Sequence, residues 1–203
     1  MPGSIKIDDG SGNYTILTNA GSLGSDKTIT IPNETATLAT TNGITEYDQW
    51  QLVNSTAAGA NGDISGTWSR FNHAGTTYIG TGMSVSSGVF TFPSTGKWEV
   101  VFTARIANTD ADDQLNVTTE FTSNNSSYSS VAIVGEGSGA AAASRGTGTS
   151  FVLLDITDTS NCKVKFEISS ASANTYVFGN NNPSDTSSGY PQTYAIFKRL
   201  GDT

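Results

Sequence analysis

The sequence predicts an all-β protein, a sandwich or jelly roll, and three observations carry that prediction. The first is composition. Only 14% of the 203 residues are charged, against roughly 25% in ordinary globular chains. Their place is taken by 29 Thr, 26 Ser and 16 Asn. Thr favours strands, whereas Ser, Asn and Gly favour turns and compete with the helix for backbone hydrogen bonds. The second is period: apolar side chains recur at every other position, and no window shows the helical repeat. The third is punctuation, because clusters of Gly, Asn, Asp and Ser separate the apolar runs. Disorder is excluded by 3 Trp, 7 Tyr and 9 Phe set against only 5 Pro, the reverse of a disordered composition.

Residues 1–44 carry the first texture. Ile5-Lys6-Ile7, Tyr14-Thr15-Ile16-Leu17, Thr28-Ile29-Thr30-Ile31 and Thr35-Ala36-Thr37-Leu38-Ala39 alternate with period two, and each run stops at turn residues. These strands are short and carry few large apolar groups, too few for a self-sufficient core. The segment therefore needs burial supplied from elsewhere: other copies of itself, another surface, or the following domain.

Residues 45–203 form the second part, expected to be one domain. Strands are expected at 49–54, 68–71, 89–92, 96–106, 115–122, 130–134, 149–156, 163–169, 175–178 and 194–200. Turn clusters at 58–62, 108–113, 123–127 and 179–183 divide them. The four-alanine run at 140–144 lies among glycines and reads as a loop. Alternation then assigns the core. Phe90 and Phe92 share one face, as do Trp98, Val100, Phe102 and Ala104, and so do Val164, Phe166 and Ile168. In Tyr194-Ala195-Ile196-Phe197 both faces are apolar, which marks a central strand or one covered by another subunit. Trp50, Phe90, Phe92, Trp98, Phe102, Tyr194, Ile196 and Phe197 are the expected core and subunit-contact residues.

Two resemblances follow from these residues. Gly88, Phe90, Pro93, Gly96 and Trp98, in Ser87-Gly88-Val89-Phe90-Thr91-Phe92-Pro93-Ser94-Thr95-Gly96-Lys97-Trp98, resemble the Gly-x-Phe and Pro-x-x-Gly-x-aromatic pattern of the complement-q and tumour-necrosis-factor superfamily. Trp98 stands where that family usually has Tyr. The closing Tyr194-Ala195-Ile196-Phe197-Lys198-Arg199-Leu200 resembles the family's last strand. The resemblance covers roughly 70–200 and implies a ten-strand jelly roll that trimerises around a three-fold axis, with Trp50–Val53 and the last strand covered by neighbours. Separately, Thr28-Ile29-Thr30-Ile31-Pro32-Asn33-Glu34-Thr35-Ala36-Thr37-Leu38-Ala39-Thr40-Thr41 resembles a threonine-rich element of bacteriophage tail-fibre and structural proteins, which interwinds as trimers. It implies that residues 1–44 attach the chain to another phage structural protein, through Ile5, Ile7, Ile29, Ile31 and Leu38. The expected setting is a virion, assembled in a bacterial cytoplasm; the expected role is a fibre, knob or decoration protein.

Chemistry is sparse. One histidine, His73, sits in a turn-like stretch, so a Ser-His-Asp triad has a single candidate base, and no Gly-x-Ser-x-Gly elbow is present. No catalytic residue and no cofactor are expected. One His and one Cys exclude an ordinary zinc site. Cys162 makes no intrachain disulfide and reads as a small residue opening a strand. Asp110, Asp112 and Asp113 form the densest acidic spot; a divalent cation is the weaker reading and a solvated loop the stronger. The net charge of −8, with no basic cluster, argues against nucleic acid as a partner. No apolar window is long enough to span a membrane, and the first residues lack the apolar segment of a signal peptide. Long small-residue loops at 123–129, 135–148 and 179–190 are where binding would sit. Tyr128, Tyr176 and Tyr190 beside them are candidate contacts to a host-surface glycan, with anchoring of the loops as the competing role.

Overall fold

The computed structural model describes residues 4–8, 11, 14–18, 43–55, 62–71, 74–108, 114–137, 144–169, 175–179 and 191–203. The chain divides into two units, Met1–Thr40 and Thr41–Thr203. In the first, β1 (Ser4–Asp8) and β2 (Tyr14–Thr18) pair antiparallel, with Ile5 opposite Leu17 and Ile7 opposite Thr15. Ile29, Ile31 and Leu38 lie outside the described residues.

The second unit contains β3 (Tyr47–Leu52), β4 (Gly62–Asp63), β5 (Trp68–Arg70), β6 (Ser84–Ser86), β7 (Val89–Thr91), β8 (Gly96–Asn108) and β9 (Gln114–Thr122). It continues with β10 (Ser129–Gly137), β11 (Ser144–Ile156), β12 (Lys163–Ser169), β13 (Thr175–Val177) and β14 (Tyr194–Gly201). All pairings are antiparallel. One sheet, here sheet I, runs β11-β8-β14-β3-β5, with β13 also on β8. The other, sheet II, runs β10-β9-β12-β7-β6, with β4 also on β12. Crossover connections, with every neighbour in sheet I non-consecutive and only β9–β10 and β6–β7 consecutive in sheet II, and no helix among the described residues, make this a jelly-roll sandwich.

Alternation along each strand delivers one face to the space between the sheets. Trp98, Val100, Phe102, Ala104 and Ile106 of β8 meet Val164, Phe166 and Ile168 of β12, all buried. The rings of Phe102 and Phe166 stack at 3.9 Å and 14°, tying sheet I to sheet II. Phe90 sits edge-on to Trp50 and Trp68 at 5.7 and 5.3 Å. Such aromatic pairs add about 0.5–1.5 kcal/mol each beyond area burial.

The glycines of the Gly-x-Phe and Pro-x-x-Gly pattern have a steric reason. Gly88 has φ +80°, and a Cβ there would lie 2.6 Å from the Ile64 carbonyl oxygen. Gly96 has φ +140°, and a Cβ would lie 2.4 Å from the Gly201 carbonyl oxygen. Both positions need the missing side chain twice over, for backbone conformation and for space.

Strand ends differ from the expectation where polar residues hide the pattern. β8 runs to Asn108 and β11 begins at Ser144, so the two form one long ladder. Gly146, Thr147 and Gly148 open β11 without apolar residues, and a Cβ on Gly148 would lie 1.8 Å from Val134 Cγ1 of β10. Gly at that place lets the edges of the two sheets close on each other. Gly62, expected in a turn, pairs with Ile168 in β4. Ser84–Ser86 is too short and too polar to register as a strand, yet pairs with β7. Trp50 and Leu52 turn into the core of the head and are unavailable to a neighbouring subunit; the outward residues of β3 are Tyr47, Gln49 and Gln51.

One buried charge is part of this core. Asp48, 1% exposed, accepts from Arg70 Nε and Nη2 at 2.8 and 2.9 Å, from Trp50 Nε1 at 2.9 Å and from the Met83 amide at 2.8 Å. Arg70 in turn lies 4.9 Å from the Trp50 ring and 4.2 Å from the Tyr78 ring. The hydrogen bond to Asp48 raises the Arg70 pKa against the effect of burial. A carboxylate so fully satisfied is tolerated inside a core.

Candidate functional site

Of the eight expected core and contact residues, Trp50, Phe90, Phe92, Trp98, Phe102 and Phe197 lie in the core between the sheets. Tyr194 and Ile196 lie on the opposite side of β14 from Phe197 and are half-buried. Tyr190, Asp110, Asp112, Asp113 and His73 fall outside the described residues. Cys162 is buried immediately before β12. Among the described residues no group of His, Cys, Asp and Glu could hold a metal.

The outward face of sheet I is built by register. Phe151 of β11 stands opposite Val101 of β8, which stands opposite Ile196 of β14, opposite Gln49 of β3. The next row is Leu153, Glu99, Lys198 and Tyr47. Phe151 is 69% exposed, Leu153 62% and Leu200 56%. Leu200, Leu153 and Phe151 line a groove of about 280 Å³ with Glu99 and Val152. The charges beside this groove are tied up within the chain: Glu99 binds Lys198 at 2.5 Å, and Lys97 binds Asp155. An aromatic and two leucines thus sit in water beside charges already neutralised, the composition of an interaction surface.

The outward face of sheet II is of another kind. Lys165 of β12 meets Asp63 at 2.5 Å, Glu120 at 3.7 Å and Glu167 at 4.0 Å, and its ammonium lies 4.5 Å from the Tyr128 ring centroid. Burial disfavours the Lys165 ammonium, but the hydrogen bond and charge of Asp63, with Glu120 and Glu167, outweigh it and hold the pKa above the lysine norm. Glu167 is pushed up, first by burial and then by the Glu120 charge. The Tyr128 hydroxyl is pushed up by burial, against the pull of Lys165. Asn124 sets this arrangement: its Oδ1 accepts from the Ser126 and Ser127 amides at 3.0 and 2.9 Å, an Asx-type turn that delivers Tyr128 to the lysine. Tyr128 is thereby engaged with its own chain, while Tyr176 on β13 is 37% exposed.

A cleft of about 530 Å³ lies at one end of sheet I's outward face, lined by Thr103, Arg105, Thr147, Gln192 and Tyr194, among others. Arg105 stands two positions beyond Thr103 on β8, opposite Thr147 of β11. Its backbone is held on both sides, the amide by Thr193 Oγ1 at 3.1 Å and the carbonyl by the Phe178 amide at 2.9 Å. Its Nη1 donates to Gln192 Oε1 at 2.7 Å.

Sequence reasoning missed three of these features. Asp48 and Arg70 were separated by 22 residues and showed no spacing signal. Phe151 and Leu153 alternate with the buried Ser150 and Leu154, but nothing local says which set faces inward. Arg105 lay in a strand otherwise read for its apolar set.

No family model and no curated protein matches the chain. Solved structures do match. Eiger TNF from S. frugiperda is similar with TM-score 0.53 and 11% identity, covering 77% of this chain and 93% of that one. Murine APRIL at pH 5.0 is similar with TM-score 0.52 and 11% identity, covering 76% of this chain and 98% of that one. At such identities the likeness is one of architecture: the head of this protein has a tumour-necrosis-factor-like jelly-roll fold.

Proposed function

We propose that the chain is a non-enzymatic structural protein that works as a homotrimer, a fibre, knob or decoration protein of a bacteriophage particle. One observation carries the assembly reading: Phe151, Leu153 and Leu200 exposed beside two ion pairs closed within the chain. Covering the Phe151, Leu153 and Leu200 patch with a second copy removes apolar area from water, worth about 25 cal/mol per Å², and the ions beside it, Glu99 with Lys198 and Lys97 with Asp155, are already paired. Three copies close the contact around an axis, so that each edge β11 finds a neighbour and the contact does not propagate. The virion setting is supported by the threonine-rich element at 28–41 and by the small apolar content of residues 1–44, which suits a segment that interwinds with its own copies and attaches to a larger assembly. The negative net charge suits solubility of an outward-projecting head.

Light scattering on the full chain tests the assembly. The expected mass is three times 21.1 kDa, and a folded monomer contradicts the reading. Immunogold labelling of purified phage particles tests the setting, with label at a fixed position on the particle expected and unlabelled particles contradicting it.

A further inference from the structure

The Arg105 cleft lies on the outward face of sheet I, outside the Phe151, Leu153 and Leu200 patch that carries the assembly reading. We infer that it takes a sugar acid, a pyranose ring bearing a carboxylate, with the carboxylate on the Arg105 guanidinium. A guanidinium offers five N–H donors in a fork that matches a carboxylate; among the described residues this one donates to the Gln192 amide oxygen and lies 5.6 Å from the Phe178 ring centroid. Lys97, Lys165, Lys198, Arg70 and Arg199 each pair with a carboxylate; among the described residues none pairs with Arg105. Two hydrogen bonds hold the Arg105 backbone, and the Gln192 bond holds its guanidinium.

The rest of the lining suits a sugar rather than a bare anion. Thr147, exposed and directly opposite Arg105 on the neighbouring strand, and Gln192 present a hydroxyl and an amide for ring hydroxyls. Tyr194, steadied edge-on by Phe71 at 6.1 Å, presents an aromatic body of the kind on which sugar C–H faces pack. The volume of about 530 Å³ falls within the roughly 300–1,000 Å³ of small-ligand sites. The chain's net charge of −8 repels anions at long range, so binding depends on this local donor set. The cleft lies two register positions along β8 from Val101 and the Phe151 row, beside the apolar patch and not on it.

The test compares two probes that differ only at C6, methyl glucuronide and methyl glucoside, titrated into the full chain by NMR at millimolar concentration, with acetate as a carboxylate without a sugar. Saturable binding of the glucuronide is expected, with the glucoside and acetate each at least about tenfold weaker. Arg105→Gln should weaken the glucuronide by at least about tenfold. Thr147→Glu places a tethered carboxylate opposite Arg105 and should block the probe in the same way, without removing the arginine. Equal binding of glucuronide and glucoside, acetate binding as tightly as the glucuronide, unaltered binding in both variants, or no saturable binding overturns the inference. Mass is measured on the same samples. Loss of the oligomer in Arg105→Gln makes Arg105 an assembly residue and also overturns it. A monomeric wild-type chain that binds the glucuronide leaves this inference standing and removes only the trimer.

Discussion

The two outward faces of the sandwich are built on the same principle and differ in what they present. On sheet II, outward positions of β9 and β12 hold Glu120, Lys165 and Glu167 in a charged cluster under Tyr128. On sheet I, the corresponding places hold Phe151, Val101 and Ile196 in one row, and the flanking ions cancel each other. Strand alternation separates inside from outside equally well on both. It does not say what lies against the outside. A face that stays in water is served by ions and hydroxyls, and a face that is covered is served by apolar groups without loose charge.

The strongest way to break this contrast is to put charge on sheet I. Phe151→Asp with Leu153→Asp should convert the proposed trimer to a folded monomer, since each carboxylate forced beneath a neighbour costs several kcal/mol. Ile133, 64% exposed on sheet II, is the control: Ile133→Asp should leave the mass by light scattering unchanged. If both variants dissociate, or neither does, the two faces are not distinct in the way proposed.

Next in size is the core that both faces share. Phe102→Ala removes the ring stacked on Phe166 and should lower stability by about 3–5 kcal/mol in chemical denaturation. Its effect should be the same whether charge or apolar surface is being tested. On sheet II, Lys165→Met leaves Asp63, Glu120 and Glu167 facing one another and should cost about 1–2 kcal/mol, with the mass unaltered.

The smallest effect is a pH dependence. Glu167 has a raised pKa, first from burial and then from Glu120. A carboxyl raised in the folded state favours folding while protonated; that contribution is present below its unfolded pKa and is lost as pH rises through the folded value. Glu167→Gln keeps the group neutral, so the change in melting temperature between about pH 4 and about pH 7 should be less negative than in the wild type. An identical pH profile would remove Glu167 from the sheet II balance.

Much of the fold is legible in the residues. Val89-Phe90-Thr91-Phe92 and Lys97-Trp98-Glu99-Val100-Val101-Phe102 announce both strand and buried face, because one face is apolar and the other is not. β4, β6 and the first half of β11 are not legible. Apart from Val85 and Arg145 their residues are Gly, Ser, Thr and Asp, which strands and loops use alike, and only the neighbouring strand makes them strands. The outward patch is half legible. Tyr194 and Ile196 show that β14 is apolar on both sides, whereas Phe151 and Leu153 become notable only when register sets them beside Val101 and Ile196.

What the sequence by itself determined is the class of protein: all-β, assembled from short strands around an aromatic core. Those are local properties, set by side-chain period and backbone sterics. The tertiary structure decided what the surface offers. Asp48 becomes a satisfied core charge only because Arg70, Trp50 and Met83 converge on it, and Arg105 lacks a described carboxylate partner only because the fold sends every described acid elsewhere. Such properties depend on which distant residues end up within a few ångströms, and no local pattern encodes that.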